Sequence, residues 1–172
     1  MSLKGYTFPL TSDGRAGIVP PPPWHYSADF TLIEYRTHPD GVIALLPDEL
    51  EPADDPGAVA VLFAEWQSAS DDLHELWDPA QSQYKEMLIV VGAKYQGEPV
   101  SRCVYIWVDK DFAMYRGYIQ GFPKKLGEIH MTRSFAVGKC AVPLAPGSKF
   151  GATCSANGRA IARAVVTLKQ IS

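Results

Sequence analysis

Two adjacent lysines, Lys124 and Lys125, follow a proline in the segment 121–127, which reads Gly-Phe-Pro-Lys-Lys-Leu-Gly. Proline fixes one backbone angle and glycine allows a sharp turn or a close approach, so the segment is predicted to be a stiff loop. Such a loop can hold one amine in a pocket, where a lysine can attack a carbonyl carbon and form a Schiff base. The alternative interpretation is an ordinary pair of solvated charged side chains.

Schiff-base chemistry requires a neutral amine, whereas free lysine, with a pKa of about 10.4, is almost fully protonated at neutral pH. Two effects favour the neutral form, namely burial in an apolar pocket and repulsion by a neighbouring cation. Adjacent residues point to opposite faces of a strand, so adjacency alone does not bring two ammonium groups together. We therefore predict that burial of Lys124 near Phe122 and Leu126 matters more than the charge of Lys125.

A Schiff-base enzyme also needs a group that moves protons on the bound carbon skeleton. Glu86 lies in the run 84–95, whose β-branched and apolar residues are typical of a strand. The two-residue period of a strand places Tyr84, Glu86 and Leu88 on one face. The apolar residues that follow are expected to desolvate the carboxylate partly, which suits a proton carrier. A surface glutamate paired with a lysine is the alternative.

Further side chains are candidates for substrate binding. Phe122 is expected to line the pocket beside the amine. Gln120, just before the lysine segment, is predicted either to hydrogen-bond a substrate or to stabilise a turn. Tyr84 is either a phenol donor or a side chain that fills the interior.

The composition indicates one compact domain over residues 1–172, because 47% of the residues are hydrophobic and 20% are charged. The net charge of -3, without a long basic run, argues against nucleic acid or an anionic membrane surface as a partner. No stretch reaches the length of a signal-peptide core or a membrane span, so a cytoplasmic protein is expected.

Motifs for metals and nucleotides are missing from the sequence. Cys103, Cys140 and Cys154 are odd in number and widely spaced, so reduced, mostly buried thiols are expected rather than disulfides or a zinc site. No two histidines have the spacing of a ligand pair. Glycine-rich phosphate loops and the G-x-S-x-G motif are also missing. Any chemistry is therefore expected from ordinary side chains, without a metal or cofactor.

The apolar pattern predicts about seven strands and only short helices. The strands are predicted at 28–36, 58–66, 84–95, 100–108, 128–137, 150–155 and 159–169, and the helices near 38–46, 70–77 and 110–120. Asn157-Gly158 predicts a tight hairpin, and the prolines at 20–23 predict an extended arm. The expected fold is mainly β with short helices (α+β), an antiparallel sheet closed or nearly closed around an interior.

The segment Gly-Phe-Pro-Lys-Lys-Leu-Gly at 121–127 resembles the lysine signature of the acetoacetate decarboxylase family. That family is the known example of a lysine activated beside a second cation. The resemblance implies that Lys124 forms the Schiff base beside Lys125 and that Glu86 is the family's acid–base carboxylate. Glu65 lies near the position of the family's second acidic residue, in a predicted strand whose register is uncertain by one position, and the alternative for it is a carboxylate at the rim. It also implies a cone-like antiparallel β-barrel around a small-molecule cavity, a small carbonyl substrate and a homo-oligomer. Family members are usually longer, so a C-terminal section is expected to be absent or shortened here.

One departure from the family pattern changes the expected reaction. Decarboxylases of the family carry an arginine near the start of the first strand, where this sequence has Ala28. Arg36 lies too far along that strand, and Arg116 would have to reach from a helix. The sequence is therefore more similar to the branch that uses the same lysine for pyruvate aldol condensation and dehydration. The alternatives are a decarboxylase of a 3-oxo acid and a non-enzymatic barrel that binds a small ligand.

Overall fold

Two β-sheets form most of the computed structural model, which describes residues 2–170. The first sheet contains β1 (Trp24–Arg36), β2 (Glu51–Pro52), β3 (Ala58–Ser70), β4 (Gln83–Tyr95), β5 (Glu98–Val108) and β6 (Lys124–Leu126), and the second contains β7 (Glu128–Met131), β8 (Lys149–Ala156) and β9 (Arg159–Thr167). The helices are α1 (Pro39–Ile43), α2 (Pro79–Ser82) and α3 (Asp111–Ile119), with a 3-10 turn at His74–Trp77. Within residues 2–170, none of these helices is long and apolar enough to cross a membrane.

The first sheet is mixed, with the strand order β1-β3-β4-β5-β6 and β2 beside β4. Its pairs are antiparallel except for β5 and β6, which run parallel with Ile106 opposite Lys124. The expected all-antiparallel sheet is wrong on this point, because α3 returns the chain beside β5 and a helical crossover joins parallel strands. The strand pairs of the described residues form two separate sheets. The expected sheet, closed or nearly closed around an interior, is therefore not one continuous hydrogen-bonded sheet among these residues.

Both faces of the first sheet are covered, one by the second sheet and the other by α3. The core between the two sheets consists of Val61, Phe63, Met87, Trp107, Ile129, Ala152 and Cys154. The core under α3 contains Val19, Tyr84, Val108, Phe112 and Ala113. Because alternate residues of a strand point to opposite faces, β4 sends Met87 toward the second sheet and Glu86 toward α3.

The C-terminal end of α3 delivers Lys124 to the first sheet. Gly121 has a φ of 82°, which glycine adopts without strain. The N–H of Phe122 donates to the carbonyl of Gly117 at 2.8 Å and that of Gly121 to Tyr118 at 3.2 Å, as in a Schellman cap. The lysine segment is therefore not the predicted loop throughout, since Lys124 begins a short strand paired with β5.

Several predicted elements are confirmed with shifted ends. The hairpin at Asn157-Gly158 is confirmed, and both residues have positive φ values, 50° and 72°, as a type I′ turn requires. β1 begins at Trp24 instead of at Ala28, so the strand starts directly after the prolines at 20–23. β7 ends at Met131 instead of at residue 137, because the chain then leaves β8 for an irregular segment rich in glycine and proline.

Candidate active site

Lys124 and Glu86 form a buried ion pair on the face of the sheet that α3 covers. The Nζ of Lys124 lies 2.6 Å from the Oε2 of Glu86, and the two side chains are 7% and 6% exposed. Lys124 comes from β6 and Glu86 from β4, so the lysine side chain extends across β5 to reach its partner. The pair brings a potential nucleophile and a proton acceptor within one hydrogen bond.

Aromatic rings and the backbone of α3 enclose the amine. The Nζ of Lys124 lies 5.4 Å from the ring centroid of Tyr84 and 5.9 Å from that of Phe122. Gly117 is so close that a Cβ on it would lie 2.3 Å from the Cδ of Lys124. The predicted burial by Leu126 is wrong, since Leu126 is 52% exposed. The helix and Tyr84 bury the amine instead.

Lys125 is exposed and lies opposite Trp107 in the pairing of β5 with β6. Since neighbouring residues of a strand point to opposite sides, its side chain leaves β6 on the side away from Lys124. The structure therefore does not bring the two ammonium groups together.

Glu65 lies on the opposite face of the sheet from Glu86. In the ladder between β3 and β4, the residue opposite Glu86 is Ala64. The Oε2 of Glu65 lies 3.3 Å from the Nε of Arg133, and both side chains are partly exposed. The observed register thus places Glu65 away from Lys124, and the structure does not bring this candidate to the ion pair.

Tyr84 lies on the same face as Glu86 and packs among other aromatic rings. Its ring stacks on that of Trp66 at 6.3 Å and meets the ring of Phe112 edge-on at 5.8 Å. Burial, and then the negative charge of Glu86, raise the pKa of the Tyr84 phenol. The phenol is therefore protonated and neutral at physiological pH.

Arg116 is a second buried cation, and from the sequence alone it is only a distant substitute for a missing arginine. It reaches from α3 into the same layer, is 3% exposed, and donates from Nη2 to the Oγ of Ser68 at 3.0 Å. Its guanidinium packs against the rings of Tyr26 at 5.0 Å and Tyr84 at 5.6 Å. Gln120, at the end of α3, donates from Nε2 to the Oη of Tyr26 at 3.3 Å rather than to the ion pair.

Gly117 is thus a neighbour of the amine that the sequence did not single out, and Arg116 is a second cation that contacts the same ring of Tyr84. The available signals were a glycine inside a predicted helix and an arginine among apolar residues of the same helix. Neither signal says which way the helix faces, so neither could be connected to Lys124 without the fold.

Two surface cavities lie near these elements, but neither contains the ion pair. One of about 330 Å³ is lined by residues that include Glu65 and Tyr84. The other, of about 560 Å³, lies between Leu126 and the hairpin at Asn157. Neither Lys124 nor Glu86 lines them, so the buried contact between these two residues defines the candidate site better than a cavity does.

Asp72, His74 and Glu75 bring one possible metal-ligand atom each within 4.8 Å of one another. However, the carboxylate of Glu75 already accepts hydrogen bonds from the backbone N–H and the hydroxyl of Ser70. Asp72 also accepts from the Ser70 hydroxyl. These contacts explain the cluster as the hydrogen-bond network of the turn that follows β3.

Comparison with protein families tests whether the chain belongs to the family that its lysine segment resembles. A family model described as acetoacetate decarboxylase (ADC) matches residues 7–171. This chain belongs to the acetoacetate decarboxylase family. Comparison with curated protein sequences gives no match.

Solved structures of the family have the same fold. The enduracididine biosynthesis enzyme MppR, complexed with the condensation product of pyruvate and imidazole 4-carboxaldehyde, has a TM-score of 0.92 and 42% identity over 99% of this chain and 65% of its own. MppR complexed with pyruvate gives the same identity and TM-score. An acetoacetate decarboxylase-like enzyme from Sphingomonas wittichii RW1 has a TM-score of 0.88 and 29% identity over 98% of this chain and 66% of its own. The chain thus spans just under two thirds of the length of these relatives.

Proposed function

We propose that this protein is a Schiff-base enzyme that condenses pyruvate, or a similar small 2-oxo acid, with an aldehyde and then removes water. The observation that carries the proposal is the buried contact of 2.6 Å between the Nζ of Lys124 and the Oε2 of Glu86. Family membership supports it. Further support comes from MppR, 42% identical, whose structures contain pyruvate and a condensation product of pyruvate with an aldehyde.

In the first half of the proposed reaction, Lys124 passes a proton to Glu86, and the neutral amine attacks the carbonyl carbon of pyruvate. Glu86 returns this proton to the departing hydroxyl, one water leaves, and an iminium joins Nζ to the carbon. The iminium makes the methyl group of pyruvate more acidic. Glu86, at hydrogen-bond distance from Nζ, then removes a methyl proton and leaves an enamine.

In the second half, the enamine carbon attacks the aldehyde carbon and forms the new carbon–carbon bond, while the aldehyde oxygen takes the proton held by Glu86. Glu86 removes a second proton from the same carbon and returns it to the hydroxyl, which leaves as water. Hydrolysis of the iminium consumes one water, frees Lys124 and releases an unsaturated 2-oxo acid. One pyruvate and one aldehyde thus give one unsaturated acid and one water.

The other candidate residues have smaller parts in this proposal. Tyr84 and Phe122 are proposed to line the substrate, because their rings lie beside Nζ. Gln120 is proposed to bind a polar group of the substrate from the end of α3. Lys125 and Glu65 are left out, since both point to other sides of the sheet.

Borohydride trapping tests the proposal directly. The protein is treated with borohydride in the presence of pyruvate, digested, and analysed by mass spectrometry. We expect one reduced pyruvate unit on the peptide that contains Lys124, and none in the Lys124→Arg variant. An adduct spread over exposed lysines, or no adduct at all, would contradict the covalent mechanism.

A second measurement separates condensation from decarboxylation. Pyruvate mixed with an aromatic aldehyde should give a conjugated acid that absorbs in the near ultraviolet, and acetoacetate should release no carbon dioxide. Carbon dioxide release without condensation would instead favour a 3-oxo acid decarboxylase. Closure of the sheets into a cone-like barrel and assembly into a homo-oligomer are further expectations of this proposal.

A further inference from the structure

One row of side chains crosses the first sheet and ends on Lys124. The register pairs one residue from each of five strands, in the order Leu32, Leu62, Leu88, Ile106 and Lys124. Paired residues of neighbouring strands point to the same face of a sheet, and Leu88 follows Glu86 by two residues on β4. The whole row therefore lies on the face that carries the ion pair.

Phe30 widens this row on the outermost strand. It precedes Leu32 by two residues on β1, so its side chain points to the same face. The register pairs Phe30 with Ala64, and Ala64 with Glu86. Only a small alanine side chain separates the ring from the carboxylate along this second row. Phe30 is therefore the first large side chain beyond Glu86 in the direction of β1.

The side chains of Phe30, Leu32, Leu62 and Leu88 form an apolar surface that is open to solvent at its far end. Phe30 is 61% exposed and Leu32 is 51% exposed, whereas Leu62 and Leu88 are partly buried. The core under α3 contains Tyr84 but none of these four residues. The helix thus covers the face beside Tyr84 and leaves the apolar surface uncovered. Exposed apolar side chains grouped on one face are typical of a binding site.

The position of the amine directs a bound substrate toward this surface. The Nζ of Lys124 reaches β4, where it contacts Glu86, and α3 with the rings of Tyr84 and Phe122 encloses its other sides. From β4 to β1 the sheet crosses two strand spacings, or about 10 Å. An aldehyde that has condensed on the enamine carries its side chain a few bonds beyond Nζ. An aromatic ring there is large enough to lie on the apolar surface.

We propose that the apolar surface binds the side chain of the aldehyde and makes the enzyme selective for aldehydes with an aromatic or large aliphatic group. The inference rests on the proposed function, because condensation is the step that joins this side chain to Lys124. Removal of apolar area from water is favourable in proportion to the area removed. A large apolar group covers Phe30 and Leu32 together, whereas a methyl group reaches neither. The surface therefore distinguishes aldehydes by the size and polarity of the group they carry.

The test compares a large aldehyde with a small one. The value of kcat/KM for condensation with pyruvate is measured for benzaldehyde and for acetaldehyde, with the natural protein and with Leu32→Gln. We expect the ratio of the benzaldehyde value to the acetaldehyde value to fall by about tenfold or more in Leu32→Gln, because a polar side chain replaces an apolar contact. Phe30→Gln is an independent variant of the same surface and should lower the ratio as well.

Leu144→Gln is the matched control, because it makes the same change at an exposed leucine between β7 and β8. Its ratio should equal that of the natural protein. An unchanged ratio in both Leu32→Gln and Phe30→Gln would overturn the inference. An equal loss with both aldehydes in folded variants would also overturn it, because the two residues would then not distinguish the substrates.

A contact between two copies of the chain is the competing use of an exposed apolar surface. Sedimentation equilibrium compares the mass of the natural protein with that of Leu32→Gln at the same concentration, and we expect the same mass for both. A smaller mass for Leu32→Gln, together with an unchanged ratio of the two aldehydes, would show that a second copy covers the surface. That result would refute selection of the aldehyde.

A binding measurement separates failure of this inference from failure of the proposed function. The acid 2-hydroxy-4-phenylbutanoate resembles the condensation product of pyruvate and benzaldehyde but has a hydroxyl in place of the reactive carbonyl, and lactate is the same acid without the benzyl group. Calorimetric titration of the natural protein should show binding of the phenyl acid at least about tenfold tighter than that of lactate, and Leu32→Gln should reduce this difference. This result would support the apolar surface even if Lys124 formed no adduct. Equal affinity of the natural protein for both acids would contradict it.

Discussion

Ala64 lies directly opposite Glu86 in the ladder between β3 and β4, so Glu65 faces the other side of the sheet. This register separates two acidic residues that the sequence places in neighbouring strands. Glu86 is buried against Lys124, whereas Glu65 forms a partly exposed pair with Arg133. The two acids therefore make a matched pair for testing which carboxylate moves protons.

Replacement of Glu86 by Gln should slow both the formation of the Schiff base and the removal of the methyl proton. The amide cannot accept a proton, so exchange of the pyruvate methyl protons in D₂O should fall by about 10²- to 10⁴-fold, as expected for loss of a general base. Trapping of pyruvate on Lys124 should also slow, because the proposed reaction uses Glu86 to take the proton of the amine and to return it to the departing hydroxyl. Proton NMR follows the exchange, and mass spectrometry follows the trapping.

The control for this variant is Glu65→Gln. Its exposed pair with Arg133 contributes at most about 1 kcal/mol to folding, and it lies away from the amine. Methyl exchange should therefore stay within about twofold of the natural protein, a change too small to indicate a chemical role. Equal loss of exchange in both variants would exclude Glu86 as the specific base.

Gly117 should not tolerate a side chain. An added Cβ would lie 2.3 Å from the Cδ of Lys124 and 2.7 Å from its Cε, so either the helix or the amine must move. We expect Gly117→Ala to lower the trapping rate by about tenfold and the free energy of unfolding by about 1 to 3 kcal/mol. Borohydride trapping quenched at timed intervals measures the trapping rate. Urea denaturation measures the free energy of unfolding.

Gly41→Ala is the matched helical control, because a Cβ there meets nothing within 4 Å. Alanine is the better helix former, so this change should leave trapping unaltered and change stability by less than about 1 kcal/mol. If Gly117→Ala behaved like Gly41→Ala, the close contact between α3 and the lysine would have no effect on the chemistry.

Lys125→Ala should retain the reaction. Its side chain is exposed and leaves β6 on the side away from Lys124, so its charge is screened by solvent. Trapping of pyruvate should stay within about threefold of the natural rate, which is less than 1 kcal/mol in activation free energy. A loss of a hundredfold would show that the neighbouring cation, rather than burial, controls the amine.

The local parts of the fold are predictable from sequence, and the long-range parts are not. The face of β4 that carries Tyr84 and Glu86 follows from a two-residue period, and the turn at Asn157-Gly158 follows from two residues with positive φ. The parallel pairing of β6 has no such signal, because only three residues make it and α3 decides its direction. The burial of Arg116 likewise has no sequence signal, because it depends on how α3 packs against the sheet.

The sequence predicts the burial of the cysteines only in part, and one of them gives a further testable prediction. Cys154 is buried, as expected, whereas Cys140 is exposed. Burial raises the pKa of the Cys154 thiol from its ordinary value of 9.0 to about 11. The folded protein therefore holds this proton more tightly than the unfolded chain, so the stability it contributes is present below pH 9 and is lost as the pH rises toward 11.

Between pH 8.5 and pH 11, this linkage should lower the free energy of unfolding by about 2 to 3 kcal/mol. Cys154→Ala removes the linkage, so the difference between its pH profile and that of the natural protein isolates the thiol. A chromogenic disulfide reagent at pH 8 should label Cys140 at once and Cys154 only after unfolding. If the free energy of unfolding fell equally with pH in both proteins, the Cys154 thiol would not be the source of this pH dependence.

The ion pair joins residues 38 positions apart and depends on the crossover from β5 through α3 to β6. Closing so long a connection is slow compared with forming a hairpin such as that between β8 and β9. Until it closes, Lys124 is one hydrated ammonium group among the others. Lys124 would then react selectively with a carbonyl compound only at a late stage of folding. Pulses of borohydride with pyruvate during refolding would measure when this crossover closes.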